Sequence, residues 1–163
     1  MYKIRVILDT KEDVIRTILV DNNINLENLH LIIAKSFGFE GQEMASFYRT
    51  DEEWNQGEEI PLFNMAEAGV GISMATEILH ETLPQENNKL IYVYDFLNMW
   101  TFYVEVVEIS DEKIDEPKVI LTVGEIPAEA PEKEFKAEDL DGDLKDDFDD
   151  PFDDIDDYDF YQN

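Results

Sequence analysis

Lys89 to Ile109 reads KLIYVYDFLNMWTFYVEVVEI, two strand-forming runs separated by a break of about three residues. The runs are dense in aromatic and β-branched side chains, which suit a pleated, buried surface. Asn98 lies in the break and tolerates the positive φ of a tight hairpin turn, while Asp95 can bind turn amides through its carboxylate. In the first run Leu90, Tyr92, Tyr94 and Phe96 share one face and Ile91 and Val93 the other, so both sides are apolar. Such a strand belongs in the interior of a sheet. In the second run Trp100, Phe102, Val104 and Val106 oppose Thr101, Tyr103 and Glu105, which predicts one face on the core and one partly wet.

Toward the N-terminus, Tyr2 to Leu8 and Val14 to Val20 flank the polar turn TKED and read as an antiparallel hairpin, with Tyr2, Ile4, Val6 and Leu8 on the core face. Asn25 is suited to cap a helix over Asn25 to Phe37, in which Leu26, Leu29, Ile33 and Phe37 recur at helical spacing and Gly38 supplies the left-handed stop. Met44 to Thr50 is a further strand, followed by an exposed acidic loop, DEEWNQGEE, before Ile60, Pro61 and Leu62. Phe63 to Ser73 reads as loop. Thr76 is placed to cap a short helix, EILHETL, that Pro84 ends. Downstream of the central hairpin, SDEKIDEP leads to a last strand, Lys118 to Val123, closed by Gly124. The expected fold class is α+β: a mixed or antiparallel sheet of about five to six strands with one main helix packed on one face, opening in a β-grasp-like way.

Forty acidic residues stand against twelve basic ones, a net charge of −28. Glu138 to Asn163 holds thirteen acidic residues and one lysine, so this stretch carries −12 and the remainder −16. A body of that sign is repelled by phosphate backbones and anionic membranes, which disfavours direct nucleic-acid binding and favours basic partners or divalent cations. There is no cysteine, hence no disulfide, thiolate metal site or thiol nucleophile. The opening MYKIRVILD lacks the apolar run of a signal peptide, and no segment approaches the roughly 18 apolar residues of a membrane span, so a cytoplasmic location is expected.

Residues 127–137 form a Pro/Ala/Glu linker, and residues 138–163 are an Asp-dominated stretch whose self-repulsion predicts disorder in isolation. Asp139, Asp141, Asp143 and Asp150 occupy positions 1, 3, 5 and 12 of an EF-hand-like spacing. Leu144 stands where that loop needs Gly and the last position is Asp in place of Glu, so weak cation condensation is expected there. Phe148, Phe152, Tyr158, Phe160 and Tyr161, interleaved with carboxylates, are candidate contacts for a basic, partly apolar partner, as is Trp54 if it is not a lid over the core. His30 and His80 are the two histidines; each is expected at a helix surface or boundary and not as a ligand. No nucleophile elbow, phosphate-binding glycine loop or HExxH is present, so no catalytic residue and no cofactor is assigned. Asp95 is expected to cap the hairpin turn.

The order of elements, with NLENLHLIIAKSFGF followed by MASF and then LIYVYDFLNMWTFYVEV, resembles the plasmid pRiA4b ORF-3-like family over Met1 to Gly124. The helix looks like that family's leucine-His motif with its closing Gly-aromatic pair, here Leu29, His30, Gly38 and Phe39. The hairpin looks like its Tyr-Asp-Phe-Gly-Asp-x-Trp-x-His signature, here Tyr94, Asp95, Phe96 and Trp100. Leu97, Asn98 and Phe102 replace the Gly, the second Asp and the His, and Glu43 stands where many relatives carry a His. The resemblance implies an α+β domain over residues 1–126, an association with mobile elements, and no established chemistry. A non-enzymatic protein-interaction module with a basic partner is therefore expected. The alternatives are a DNA mimic or regulator of a DNA-binding protein, and a carboxylate- or metal-dependent enzyme.

Overall fold

The computed structural model describes residues 1–64 and 71–130. Its strands are β1 (Tyr2–Leu8), β2 (Ile15–Val20), β3 (Ala45–Thr50), β4 (Gln56–Pro61), β5 (Lys89–Tyr94), β6 (Trp100–Ile109) and β7 (Lys118–Val123). They form one sheet in the order β4-β3-β5-β6-β1-β2-β7, and every neighbouring pair is antiparallel. Two short helices accompany it, α1 (Leu26–Ser36) and α2 (Leu79–Thr82). β1 alternates strictly between buried and half-buried residues, and β6 keeps Trp100, Phe102, Val104 and Val106 inside, as period-two patterning requires. β5 is buried on both faces from Leu90 to Tyr94 and lies inside the sheet between β3 and β6.

This architecture corrects the α+β expectation of one main helix on a mixed or antiparallel sheet of about five to six strands. The sheet has seven strands. It contains no parallel pair among them, and β1 pairs with β6 in antiparallel register, so the β-grasp-like opening does not continue as a grasp. The strand missing from the pattern is β4, which falls in the supposed acidic loop. Gln56 to Glu59 are exposed, so no hydrophobic alternation marks them; backbone pairing with β3 alone makes them a strand.

Three local expectations also change. The positive φ values of the β5–β6 turn fall on Asp95 (64°) and Met99 (56°), and not on Asn98. Thr76 does not cap α2: its hydroxyl exchanges hydrogen bonds with Ser73, and the helix starts later, after Ile78. Ile78 is held extended by a bridge to Asn25, with Leu26 N–H donating to the Glu77 carbonyl (2.9 Å) and Leu79 N–H to the Ile24 carbonyl (2.9 Å). Residues 131–163, comprising most of the linker and the acidic stretch, lie outside the described residues, and with them Asp139, Asp141, Asp143, Asp150, Phe148, Phe152, Tyr158, Phe160 and Tyr161.

The outer face of the sheet is wet and crossed by ion pairs between register partners, Lys3–Glu108 (2.9 Å), Arg5–Glu105 (3.7 Å) and Lys89–Glu105 (3.6 Å). Trp54 lies against this side, edge-on to Tyr103 (4.9 Å between centroids) with the Lys89 ammonium 5.5 Å from its ring. On the core side β2 contributes a buried arginine. Arg16 Nε donates to the Ser36 carbonyl (2.8 Å), and Nη1 lies within bonding distance of the Ile15, Val123 and Gly124 carbonyls (2.9, 3.2 and 3.0 Å). Its guanidinium rests over Phe37 (4.7 Å). One side chain thus ties the end of α1 to the end of β7. Because hydrogen bonds from a charged donor are worth about 1.5–3 kcal/mol each when buried, Arg16→Leu is expected to lower unfolding free energy by at least about 2 kcal/mol in urea titrations. Arg16→Lys should recover less than half of that, since an ammonium lacks the planar fork.

Candidate functional site

The residues that carry the family likeness are scattered in sequence and meet at the C-terminal end of α1. The helix begins on Asn25, whose side-chain oxygen accepts from Asn28 N–H (2.8 Å). It ends in a Schellman turn: Phe39 N–H reaches back to the Ala34 carbonyl (2.9 Å) and Gly38 N–H to the Lys35 carbonyl (3.0 Å). Gly38 adopts φ 93°, which an L side chain rarely tolerates. The turn delivers Phe39 to the hairpin, where its ring lies 4.8 Å from Tyr94 and 5.2 Å from Trp100. The following residues are pinned by the Tyr94 hydroxyl, which accepts from Gly41 N–H (3.2 Å) and Glu43 N–H (3.4 Å). One step further, the Met44 carbonyl accepts Asp95 N–H (2.7 Å).

Beneath this surface layer lies a buried polar pair. His30, 1% exposed, sits 2.6 Å through Nδ1 from the hydroxyl of Tyr92, which is fully buried. Burial pushes the imidazole below its ordinary 6.5, opposed by a hydrogen bond with the Gly41 backbone. Burial, with Tyr94 nearby, raises the Tyr92 phenol. Both groups are therefore neutral at pH 7, so one donates and the other accepts across this contact, and the Tyr92 hydroxyl also lies 3.5 Å from the His30 carbonyl.

His30 thus departs from the surface or boundary position expected of it. The signal was present: Leu26, Leu29, His30, Ile33, Ala34 and Phe37 follow one helical face, and His30 occupies an inward position in it. Arg16 was missed in the same way, sharing a face of β2 with Ile18 and Val20. Leu29 is a core residue with no exposure, while His80 is half-buried and donates its backbone N–H to the Asn22 carbonyl (3.1 Å). Asp95 is a turn-former: its carboxylate accepts from Leu97 N–H (3.1 Å) and the Asn98 side chain (2.6 Å). Its carbonyl takes Asn98 N–H (3.0 Å) and Met99 N–H (2.6 Å). Phe96 is turned away from this cluster and is 42% exposed.

Among the described residues no group of three or more His, Asp or Glu converges in a way that could hold a metal ion. A cleft of about 180 Å³ between β3, β5 and α2 is lined in part by Arg49 and Lys89. Its cations are already engaged, Arg49 with Glu58 (2.9 Å) and Glu77 (3.2 Å) and Lys89 with Glu105.

Fold and cluster together define a small antiparallel-sheet protein whose signature residues lock a helix to a hairpin. The sequence matches the plasmid pRiA4b ORF-3-like proteins over residues 1–157, beyond the Met1 to Gly124 span of the resemblance, and the chain belongs to that family. No curated protein matches it. In architecture it is similar to the crystal structure of the protein of unknown function MM3350 from Methanosarcina mazei Go1, with a TM-score of 0.59 and 20% identity. The match covers 74% of this chain and 68% of that one, and at such identity it is a likeness of fold.

Removing the Tyr92 hydroxyl strands a buried imidazole nitrogen, so Tyr92→Phe is expected to cost about 1–3 kcal/mol of unfolding free energy. The lowered His30 pKa also sets a pH dependence. Below the unfolded value of 6.5 the unfolded chain takes up a proton that the folded chain refuses, so the contribution of His30 is complete above 6.5 and is lost as pH falls through the folded pKa. Urea unfolding of wild type and His30→Leu between pH 7.5 and about 5 checks this: the stability gap between the two should narrow toward acid.

Proposed function

We propose that this chain is a non-enzymatic protein-interaction module that presents the tip of the β5–β6 hairpin to basic partners. The observation that carries the reading is a group of apolar side chains held outward on a stiff turn. Leu97 is 94% exposed, and Phe96, Met99 and the adjoining Met44 are each about 40% exposed. Beneath them Asp95 fixes the turn from both its carboxylate and its carbonyl, so the cost of ordering the tip is already met in the free protein. Methionine and aromatic side chains adapt to varied apolar sockets, and contiguous exposed patches of this kind mark interaction sites.

The net charge of −28 supplies long-range attraction to a basic surface, with Asp95 in the turn itself and Glu40 and Glu43 just before Met44, whose carbonyl binds Asp95 N–H. Of that charge the acidic-aromatic stretch 138–163 holds −12, together with five Phe or Tyr residues. Capture from native cell extract by the immobilised full chain, by a Leu97→Ser/Met99→Ser variant, and by a chain lacking residues 138–163 tests this. The wild type should retain basic proteins in a salt-sensitive way, and the tip variant should retain about tenfold less with its own stability changed by no more than about 0.5 kcal/mol. The truncated chain should capture the same proteins more weakly. An identical protein set at equal yield from the tip variant would sink the reading.

A further inference from the structure

The two edges of the sheet are built to opposite rules. β4 exposes Gln56, Gly57, Glu58 and Glu59, ends on Pro61, and holds its acids in place through Arg49–Glu58 (2.9 Å) and Ser46–Glu59 (2.6 Å). Charge and proline are the usual devices that stop an edge from pairing. β7 has neither within Val119 to Val123. Val119, Ile120 and Leu121 are 47%, 48% and 47% exposed, so apolar side chains stand on both faces of a strand that pairs only with β2. Among the described residues no strand lies beyond it. The edge is also rigid. Arg16 binds the Val123 and Gly124 carbonyls, and Gly124 adopts φ 72° against the Asp13 carbonyl, where a Cβ has no room.

We propose that β7 is a strand-addition site for an extended protein segment with an apolar centre and Lys or Arg at both ends. The inference rests on the reading of the chain as an interaction module, at a surface separated from the hairpin tip by β1 and β2. Charge selects the occupant. Asp111, Glu112, Asp115 and Glu116 precede β7 against Lys113 and the Lys118 that opens it, and Glu125 and Glu129 follow it, so both ends of the edge are net acidic. An added strand lies about 4.8 Å away, inside the Debye length of about 8 Å at physiological salt, so these charges act on its ends with little screening. A second copy of the chain is disfavoured by the same field. It brings a further −28, and pairing β7 with itself about Ile120 sets Asp115 opposite Glu125 at each end.

The test uses the full chain and a fluorescent peptide of about ten residues, with Val, Ile and Thr at its centre and lysines at both ends. Anisotropy should show saturable binding that weakens as salt rises, by about tenfold or more for an otherwise identical peptide with Glu at both ends. N-methylation of alternate amides, which removes the donors that a paired strand needs, should abolish binding to the wild-type chain, whatever the behaviour of any variant. Ile120→Lys should weaken binding about tenfold, since an edge lysine blocks pairing. Equal binding of the N-methylated or the Glu-ended peptide overturns the proposal, as does a dimer of the full chain in sedimentation equilibrium that Ile120→Lys dissolves. Leu97→Ser leaves β7 intact and Ile120→Lys leaves the hairpin tip intact, so failure at one surface is distinguishable from failure at the other.

Discussion

The hydrogen bond between Tyr92 and His30 is the constraint to which the helix side of the sheet answers. An imidazole and a phenol buried together are tolerable only in partnership, because either one left alone costs about 1–3 kcal/mol. That requirement allows α1 essentially one placement over β5, with His30 above Tyr92 (2.6 Å). The Asn25–Ile78 bridge and the Arg16–Ser36 bond hold its two ends to the same placement. With α1 fixed, the Schellman turn at Gly38 throws Phe39 onto Tyr94 and Trp100, and Tyr94 then takes up the amides of Gly41 and Glu43. Met44 follows to accept Asp95 N–H, and the chain enters β3 already in register with β5. A single polar contact in the core thus propagates into strand register some fifteen residues later.

What the sequence made legible was whatever had a local cause. β1 and β6 announce themselves by period two, since each has one buried face, and the start and stop of α1 by Asn25 and Gly38, since capping is chemistry of neighbouring residues. β4 was illegible because an edge strand wet on both faces has no apolar pattern to read, and only its partner β3 makes it a strand. His30 was misjudged, and the burial of Arg16 went unread, for a related reason. Residue type suggests solvent for both, whereas position within the periodic face places both inside, and burial of a polar group depends on partners remote in sequence. For the site, the turn-forming part of Asp95 was legible and the exposure of Phe96 was not, because alternation carried past the end of β5 assigns Phe96 to the core face.

The departures from the family signature take on physical sense in this setting. Where the signature has a histidine this chain has Phe102, wholly buried, 4.7 Å from Phe37 and 5.6 Å from Tyr92. A phenylalanine there needs no partner, so the core retains the His30–Tyr92 pair and otherwise closes with rings. Where the signature has Gly, Leu97 adds an almost fully exposed side chain to the tip of a turn that Asp95 still holds. In this chain position 102 is thus apolar and buried, and position 97 apolar and exposed.

The charge of the chain explains how such a surface is tolerated. A rigid edge with three half-exposed apolar residues in succession, together with an apolar hairpin tip, is ordinarily a template for self-association. Here each copy carries −28, and acids lie at both ends of β7, so two copies approaching edge to edge meet repulsion before their backbones can pair. The other edge is blocked in its own right by Glu58, Glu59 and Pro61, so even a forced contact at β7 has no second open edge from which to grow into a fibre. The field that keeps copies apart is attractive to any basic segment. Acidity in this chain therefore opposes pairing of β7 with a second copy while drawing positive charge toward the same edge.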